Sequence, residues 1–376
     1  MAQRYKDFVE VGPEALAGRF LRSFWQPVFL SEKIAVGRAL PLKILGENFT
    51  IFRGYSGQVA IVGERCAHRG AKLYVGRVEG DCLSCIYHGW TYDASGQCVS
   101  QPAEQRSFAD SVKINSSPVR EYHGLVFAYL GSGDPPEFPL FDALESGGIV
   151  EARESRRLYP FFNQLENSVD EVHFNFTHRS SAFTDAGLND QIPEVSGEET
   201  EYGIVRYGKR GNAVRISHIL MPNCMYAAVY GHEKGWTDHF AWRVPIDREI
   251  HSTFNLTVVH KSGAEEAVYR EAMAKQRAAL RKLEPADDVV DRIMRGELHL
   301  DEVDDRPDIL FIQDAVAMKA QGSDVCREND LLATSDKQVR LLRNIWTREM
   351  ASIEEGRPLK AWRIPSNLPV TKGVDV

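Results

Sequence analysis

The stretch Cys66-Ala67-His68, followed after sixteen residues by Cys85-Ile86-Tyr87-His88-Gly89-Trp90, decides how the chain is organised. Each half places one cysteine and one histidine close enough together to lie on a single hairpin loop. Two thiolates on one iron and two imidazoles on the other hold a mixed-ligand [2Fe–2S] cluster, whose potential is roughly −150 to +300 mV against about −400 mV for plant-type ferredoxins. We therefore predict such a cluster, which passes single electrons to a second site. Its predicted ligands are Cys66, His68, Cys85 and His88.

Two other interpretations of these cysteines stay open at this point. Cys82 and Cys85 form a C-x-x-C pair, so a zinc ion bound by Cys66, Cys82, Cys85 and a histidine is one alternative. A thioredoxin-like dithiol is a weaker alternative, because no βαβ pattern surrounds the pair. Glycines at positions 70, 80 and 89 favour the cluster, since they flank the loops where the backbone must turn sharply.

Length and composition are those of an ordinary globular protein. The 376 residues suffice for two domains, and 43% of them are hydrophobic. The net charge of −8 argues against a nucleic-acid partner. The N-terminus has no apolar signal region, and no window approaches the ~18 apolar residues of a membrane span. With two of six cysteines assigned to iron, a disulfide framework is not expected, and we predict a cytoplasmic protein.

The first part of the chain has the pattern of an all-β domain. A short helix is predicted around residues 14–23, and short apolar runs then alternate with turns at 40–45, 49–52, 59–62 and 124–130. Asp93-Ala94-Ser95-Gly96 is a strong hairpin-turn signal. The metal loops would then lie at hairpin tips. The breaker-rich loop at 131–136 predicts a boundary just beyond it, with domains at 1–140 and 141–376.

The second part of the chain predicts an α+β domain, a sheet backed by helices. Residues 180–200 look like a loop long enough to form a lid or a wall. Predicted strands and helices follow it, the strands at 203–207, 214–221, 225–229, 237–244 and 252–260, and the helices at 265–283, 288–296, 309–321 and 337–352.

A pair of histidines, His173 and His178, predicts the second metal site. Two imidazoles and one carboxylate form the facial triad of a non-haem ferrous site. Across four intervening residues a regular helix advances about 500°, which would splay the rings by ~140°. To share one ion, the helix must break or form a π-bulge between Phe174 and Thr177.

Two aspartates complete this hypothesis. Asp170 precedes His173 by three residues, where its carboxylate could accept the ring N–H of that histidine. Asp314 is the only acid in an otherwise apolar predicted helix and is our candidate for the third ligand. A salt-bridged core aspartate is the alternative interpretation of Asp314.

With these motifs in place, the chain resembles the catalytic (α) subunit of a Rieske non-haem iron oxygenase. The resemblance covers nearly the whole chain and rests on three patterns: C-x-H-x16-C-x2-H, D-x2-H-x4-H, and Gln313-Asp314 in a late helix. It implies a Rieske domain followed by a helix-grip catalytic domain, with a [2Fe–2S] cluster, mononuclear Fe(II) and dioxygen as co-substrate. Electrons would come from a reductase or a ferredoxin.

The resemblance also implies an assembly. Subunits would form a homotrimer, or stacked trimers, arranged head to tail, with the cluster of one subunit serving the iron of its neighbour. His88 would hydrogen-bond across that interface to Asp170, and Asp170 to His173. Asn167 matches a family asparagine close to the iron.

The chain layout resembles the phthalate-dioxygenase-like branch, which includes aromatic O-demethylases. We therefore expect oxygen insertion into a methoxy group of a small aromatic acid, with cis-dihydroxylation or hydroxylation of an aromatic ring as the alternative. A non-enzymatic Rieske electron carrier with a ligand-binding domain is the alternative from another class. Four cations could hold a substrate carboxylate, although each residue type typically faces solvent: Arg206, Arg210, Arg215 and Lys234.

Overall fold

Two units make up the part of the chain that the computed structural model describes, residues 8–179, 191–231, 234–323 and 327–371. One unit contains Val11–Phe138 and Val244–Asp247, and the other contains Pro139–Arg243, Arg248–Val376 and the N-terminal residues through Glu10. The expected domains, 1–140 and 141–376, stay a prediction. Among the described residues, the two units differ from that division at three short segments, 8–10, 139–140 and 244–247.

The unit that begins at Val11 is built from short antiparallel strands in three small sheets, of order β1-β11-β10, β2-β3-β4-β9 and β5-β6-β7-β8. A helix, α1 (Leu16–Arg22), precedes them where a helix was predicted. The strands are β1 (Trp25–Leu30), β2 (Arg38–Ile44), β3 (Glu47–Arg53), β4 (Val59–Gly63), β5 (Arg77–Glu79), β6 (Cys82–Ser84), β7 (Thr91–Tyr92), β8 (Cys98–Ser100), β9 (Ser116–Ser117), β10 (Val119–Tyr122) and β11 (Leu125–Tyr129).

The core of this unit brings the two predicted metal loops together. Cys66, Cys85 and Trp90 belong to one buried apolar cluster with residues such as Leu83 and Tyr92. The predicted turn after β7 is confirmed, because Gly96 donates its N–H to the carbonyl of Asp93 at 3.0 Å. Short strands packed on this buried apolar cluster therefore support the two loops.

The other unit is organised on one seven-stranded sheet of order β12-β18-β17-β16-β15-β14-β13, in which neighbours such as β14 and β15 run antiparallel. Its strands are β12 (Ile149–Arg157), β13 (Glu194–Glu199), β14 (Gly203–Arg210), β15 (Ala213–Leu220), β16 (Cys224–Gly231), β17 (Gly235–Pro245) and β18 (His251–Val259).

Six helices are described in this unit, and three of them pack together or against the edge of the sheet. Helix α3 (Phe161–Val169) packs against α6 (Ile309–Gln321) and α7 (Lys337–Glu354), and α7 also packs against β13. None of the helices in the described ranges is long and apolar enough to cross a bilayer. The helices are α2 (Asp142–Glu145), α3 (Phe161–Val169), α4 (Ala264–Leu280), α5 (Ala286–Met294), α6 (Ile309–Gln321) and α7 (Lys337–Glu354).

The α+β prediction for this unit is confirmed, with two differences at the edges of the sheet. The segment 180–200 was predicted as a loop; its first part lies outside the described residues, but Glu194–Glu199 forms the edge strand β13. Strand β12, at the other edge, was not predicted. Both segments are charged and lack a continuous apolar alternation, because an edge strand is held by one neighbour and buries little side-chain surface.

Candidate metal centres

Each of the two cysteine–histidine loops is closed by its own backbone hydrogen bonds. In the first loop, Gly70 donates its N–H to the carbonyl of Cys66 at 2.9 Å; in the second, Gly89 donates to the carbonyl of Cys85 at 3.0 Å. Both glycines have positive φ, 71° and 74°, a conformation that other residues rarely adopt. The sequence predicted this use of glycine, and the equivalent turns present the two cysteines in the same way.

The two histidines of these loops lie beside each other. The ring centroids of His68 and His88 are 4.5 Å apart, and the His68 ring stacks on Trp90 at 4.7 Å with an interplanar angle of 8°. Among the described residues, Nδ1 of His68 is a buried ring nitrogen without a hydrogen-bond partner. A buried polar atom of this kind is costly unless it has a ligand, so the donor set fits the predicted cluster.

The cysteines of the two loops also face each other. Burial raises the pKa of the Cys85 thiol, and the neighbouring Cys66 raises it further. The hydroxyl of Tyr92 lies 3.2 Å from Sγ of Cys66 and accepts the backbone N–H of Ala67 at 3.0 Å. A hydroxyl at this distance from a cluster sulfur is a means of tuning its potential.

A single zinc ion at the cysteines is not favoured by the structure. Within the described ranges, only one group of three metal-ligating side chains has its ligand atoms all within 4.8 Å of one another, and it contains no cysteine. Cys82 lies in strand β6 opposite Glu79 rather than on the metal loop. Cys66, Cys82 and Cys85 therefore do not converge on one ion.

The group that does converge is His173, His178 and Asp314. Helix α3 ends at Val169, and a separate 3₁₀ helix, His173–Asn175, carries the first histidine. This confirms the break that the histidine spacing requires: the helical turn ends before Thr177, and no regular helix connects the two rings. The third member projects from α6, the helix in which Asp314 was predicted to be the single acid.

Asp170 holds His173, but with a different group from the one predicted. The backbone carbonyl of Asp170 accepts Nδ1–H of His173 at 2.7 Å, whereas its carboxylate Oδ1 accepts the backbone N–H groups of Val172 at 2.8 Å and His173 at 3.3 Å. The reason is that Asp170 is extended, with φ −81° and ψ 121°. Its carboxylate therefore accepts from the backbone of the following turn, and its backbone carbonyl is the group that reaches the His173 ring.

The second histidine is held by the helix that carries the aspartate. The ring Nδ1–H of His178 donates to Oε1 of Gln313 at 2.9 Å, and its Nε2 lies 3.2 Å from Oδ1 of Asp314. Two ligands about 2.1 Å from one divalent ion and at right angles would be about 3 Å apart. Because Nδ1 is engaged on both His173 and His178, Nε2 is the nitrogen that each ring would present to a metal ion.

The electrostatics of this group suit a divalent cation. Burial lowers the pKa of His173, which keeps the ring neutral and able to bind metal. Burial would raise the pKa of Asp314, but hydrogen bonding to His178 and the charges of His178, His173 and Arg157 outweigh it and hold the pKa at about 2. For His178, burial is outweighed by Asp314, so its pKa is raised. An anionic carboxylate between two imidazoles is a donor set that iron would complete.

Asn167 and Gln313 form hydrogen bonds to two of the three candidate ligands. Nδ2 of Asn167 donates to Oδ1 of Asp314 at 3.1 Å, so its amide lies beside one of the three candidate ligands. The sequence marks Gln313 only as the neighbour of Asp314 and does not predict its contact with His178. The only signal in the sequence was its polarity inside an apolar helix.

The four cations considered for substrate binding are not solvent-facing in the structure. Arg206, Arg210 and Arg215 are buried, and Lys234 donates to Oε2 of Glu151 at 2.7 Å. The first three project from adjacent strands and surround Glu171, a buried acid that the sequence analysis did not single out.

Known proteins resemble this chain both over its first part and over nearly its whole length. Residues 24–146 match the model of the Rieske [2Fe-2S] domain. The chain is 26% identical to a 5,5'-dehydrodivanillate O-demethylase oxygenase subunit from Sphingobium sp. (strain NBRC 103272 / SYK-6), over 96% of this chain and 82% of that protein. Over nearly its whole length the chain is therefore similar to a Rieske oxygenase subunit, and its first part contains a Rieske [2Fe-2S] domain.

One further relative and one solved structure extend the comparison. The chain is 28% identical to the phenoxybenzoate dioxygenase subunit alpha of Ectopseudomonas oleovorans, over 90% of this chain and 83% of the relative. Its fold matches the oxygenase in a reduced complex between oxygenase and ferredoxin of carbazole 1,9a-dioxygenase, with a TM-score of 0.67, 20% identity, and coverage of 92% and 91% of the two chains. This enzyme is therefore an oxidoreductase, as the sequence predicted.

Proposed function

We propose that this oxygenase binds Fe(II) at His173, His178 and Asp314, and its [2Fe–2S] cluster at Cys66, His68, Cys85 and His88. The observation that carries the proposal is the convergence of two imidazoles and one carboxylate within 4.8 Å. A ferrous ion bound there would supply open coordination positions for dioxygen chemistry, and the cluster would supply single electrons.

Several residues prepare the iron site. The carbonyl of Asp170 and the amide of Gln313 orient the two imidazoles so that each presents Nε2. Asn167 donates to Asp314, which restricts the rotation of the carboxylate. With only three protein ligands, positions remain for water, dioxygen and the approach of substrate.

The reaction we propose is O-demethylation of a methoxylated aromatic acid. One atom of dioxygen enters a methoxy C–H bond, and two electrons and two protons reduce the other atom to water. The resulting hemiacetal then breaks its C–O bond, leaving a phenol and formaldehyde. The similarity to the dehydrodivanillate O-demethylase subunit, over nearly the whole chain, supports this choice.

Oxidation of an aromatic ring is the second candidate within the class, since the phenoxybenzoate relative is named a dioxygenase. The metal ligands do not distinguish the two outcomes, because the substrate carbon held nearest the iron decides which bond is oxidised. A reductase or a ferredoxin would supply the electrons, and the oxygenase–ferredoxin complex of the same fold supports the latter.

We also propose the head-to-tail trimer, in which His88 of one subunit would approach Asp170 of its neighbour. Exposed apolar side chains beside both residues support this arrangement: Tyr87 is 55% exposed next to His88, and Phe176 is 62% exposed in the segment that follows Asp170. Apolar surface of this kind is often covered by a partner.

The experiment that tests the function is turnover of matched aromatic acids with and without a methoxy group. The purified oxygenase, a ferredoxin–reductase pair and NADH should consume oxygen and release formaldehyde in equal amounts with a methoxylated acid. Oxygen uptake that yields a cis-diol and no formaldehyde would instead establish ring oxidation.

A variant separates the enzyme from an electron carrier. Asp314→Ala should keep the visible absorption of the cluster and lose oxygen uptake, because the carboxylate ligand is gone while the cluster loops are untouched. Full turnover by Asp314→Ala would show that the proposed iron site is wrong.

A further inference from the structure

The arginine cluster (Arg206, Arg210 and Arg215) is buried on one face of the seven-stranded sheet. On β14, Arg206 and Arg210 each lie two residues from Gly208. Gly208 pairs with Arg215 of the neighbouring strand β15. Side chains two residues apart on a strand share a face, as do those of paired residues. Three positive charges are therefore collected in one small buried region.

Glu171 neutralises two of these arginines. Its Oε1 accepts from Nη1 of Arg210 at 3.0 Å, and its Oε2 accepts from Nη1 of Arg215 at 2.6 Å. Gly208 makes room for the acid, since a Cβ there would lie 2.6 Å from Cγ of Glu171. Both carboxylate oxygens of Glu171 are thus already used by the other two arginines.

Arg206 differs from its neighbours because, within the described ranges, no carboxylate contacts its guanidinium. It is 2% exposed, and among the described residues its Nε and Nη1 are buried without a hydrogen-bond partner, as are Nε and Nη2 of Arg210 and Nε of Arg215. Burial lowers the pKa of Arg206 to about 10, although the charge of Glu171 opposes the shift, so the guanidinium stays charged at neutral pH. A buried, unpaired guanidinium is strongly unfavourable unless an anion completes it.

Another buried cluster shows how this chain pairs arginines that have only a structural role. Glu166 accepts from Nε of Arg327 at 3.0 Å and from Nε of Arg343 at 2.5 Å. The remaining groups of those two arginines reach Asn163 and Asp330. In that network both arginines contact a carboxylate, whereas in the arginine cluster Arg206 contacts none among the described residues.

The arginine cluster lies next to the segment that carries the candidate iron ligands. The guanidinium of Arg215 is 5.2 Å from the ring centroid of Phe174, and that ring is 4.4 Å from the ring of His173. The charge of Asp170 also acts on Arg206, but the Asp170 carboxylate accepts backbone N–H groups. An anionic group of a substrate near the iron would therefore be within the field of the cluster.

We propose that Arg206 is a specificity-determining residue that binds a carboxylate of the substrate through its unpartnered guanidinium N–H groups. The inference rests on the proposed oxygenation of an aromatic acid and names the residue that would select acids over neutral compounds. A planar guanidinium binds a carboxylate through two parallel hydrogen bonds, which an ammonium group or a neutral amide cannot reproduce.

The test compares an acid with its neutral isostere, 4-methoxybenzoate with 4-methoxybenzamide. Calorimetry on the intact wild-type oxygenase should show the acid binding on the order of 10- to 100-fold more tightly, as expected for a charged hydrogen-bonded pair. Arg206→Gln should lose this preference and leave the affinity for the amide unchanged, and Arg206→Lys should restore only part of it.

The matched control is Arg210→Gln, which removes a cluster arginine that already has a carboxylate partner. This variant should unfold at a lower temperature and keep the acid preference, whereas unliganded Arg206→Gln should unfold no earlier than wild type, because it removes an unpaired charge. Equal binding of acid and amide by wild type, or no binding of either across mono- and biaryl carboxylates, would overturn the proposal. An acid preference retained by Arg206→Gln would overturn it too.

These measurements are made without turnover, so they separate the two proposals. A preference for acids that depends on Arg206, together with oxygen uptake that yields no phenol or formaldehyde, would support the binding site and reject the demethylation. Demethylation of the acid and the amide at equal efficiency would support the demethylation and reject the carboxylate-binding role of Arg206.

Discussion

Gln313→Leu is the substitution that most directly tests how the candidate iron site is oriented. Gln313 is buried on α6, and its Oε1 accepts the ring Nδ1–H of His178 at 2.9 Å. Leucine has a similar volume and removes this acceptor without touching any of the three candidate ligands. The imidazole can then rotate, and the tautomer with Nε2 free for the metal is no longer preferred.

The expected effect is a 10- to 100-fold loss of Fe(II) affinity, as is typical when the group that orients a metal-bound histidine is removed. This corresponds to about 1.4–2.7 kcal/mol. The same range follows from the loss of one buried hydrogen bond, about 1–3 kcal/mol. The cluster is unaffected, because its loops lie in the other unit.

The assay is competitive Fe(II) titration of the metal-depleted protein, with the visible absorption of the [2Fe–2S] cluster as an internal reference. Gln338→Leu is the matched control, since Gln338 is also buried and donates to the carbonyls of Ser196 and Tyr207, away from the candidate ligands. It should lower stability and keep Fe(II) affinity. Wild-type affinity in Gln313→Leu would refute the assignment of His178 as an oriented iron ligand.

Three further predictions concern other residues. Asp170→Asn keeps the Oδ1 acceptor and the carbonyl that holds His173, so both metals should stay bound, while single-turnover electron transfer slows; an unchanged rate would reject the proposed relay. Glu171→Gln breaks a buried ion pair and should lower the free energy of unfolding by about 3–5 kcal/mol. Thermal unfolding measures this against the more exposed Glu199→Gln, for which about 0–1 kcal/mol is expected. Tyr92→Phe removes a hydrogen bond of about 0.5–1.5 kcal/mol to the Cys66 sulfur and should lower the cluster potential by roughly 20–65 mV in a redox titration; no shift would show that the contact does not tune the cluster.

The sequence went furthest where chemistry limits the choice of residue. The cysteine–histidine loops need glycine at their turns, and Gly70 and Gly89 have the positive φ that such turns require. The helices at 309–321 and around 337–352 were predicted from their apolar periodicity, and the structure has them at Ile309–Gln321 and Lys337–Glu354. Periodic burial is a local property, so it can be predicted without knowing the fold.

The edge strands β12 and β13 show where local patterns stop being informative. Their sequences are charged, and they are strands because one neighbour in the sheet supplies hydrogen bonds along the backbone. The sequence of such a segment does not show which strand will pair with it. The same reason explains why Asp170 was assigned the wrong contact, since the acceptor for His173 depends on the backbone conformation after α3.

The sequence by itself determined the class of this protein: two cysteine–histidine pairs, a second histidine pair and a lone acid in an apolar helix are residue types that few other chemistries would need together. Only the tertiary structure decided which groups orient the ligands and which arginine lacks a partner. Gln313 meets His178 from 135 residues away, and Glu171 meets Arg215 across 44 residues. Such pairings are set by strand register and helix packing, which bring together side chains whose identities do not predict one another.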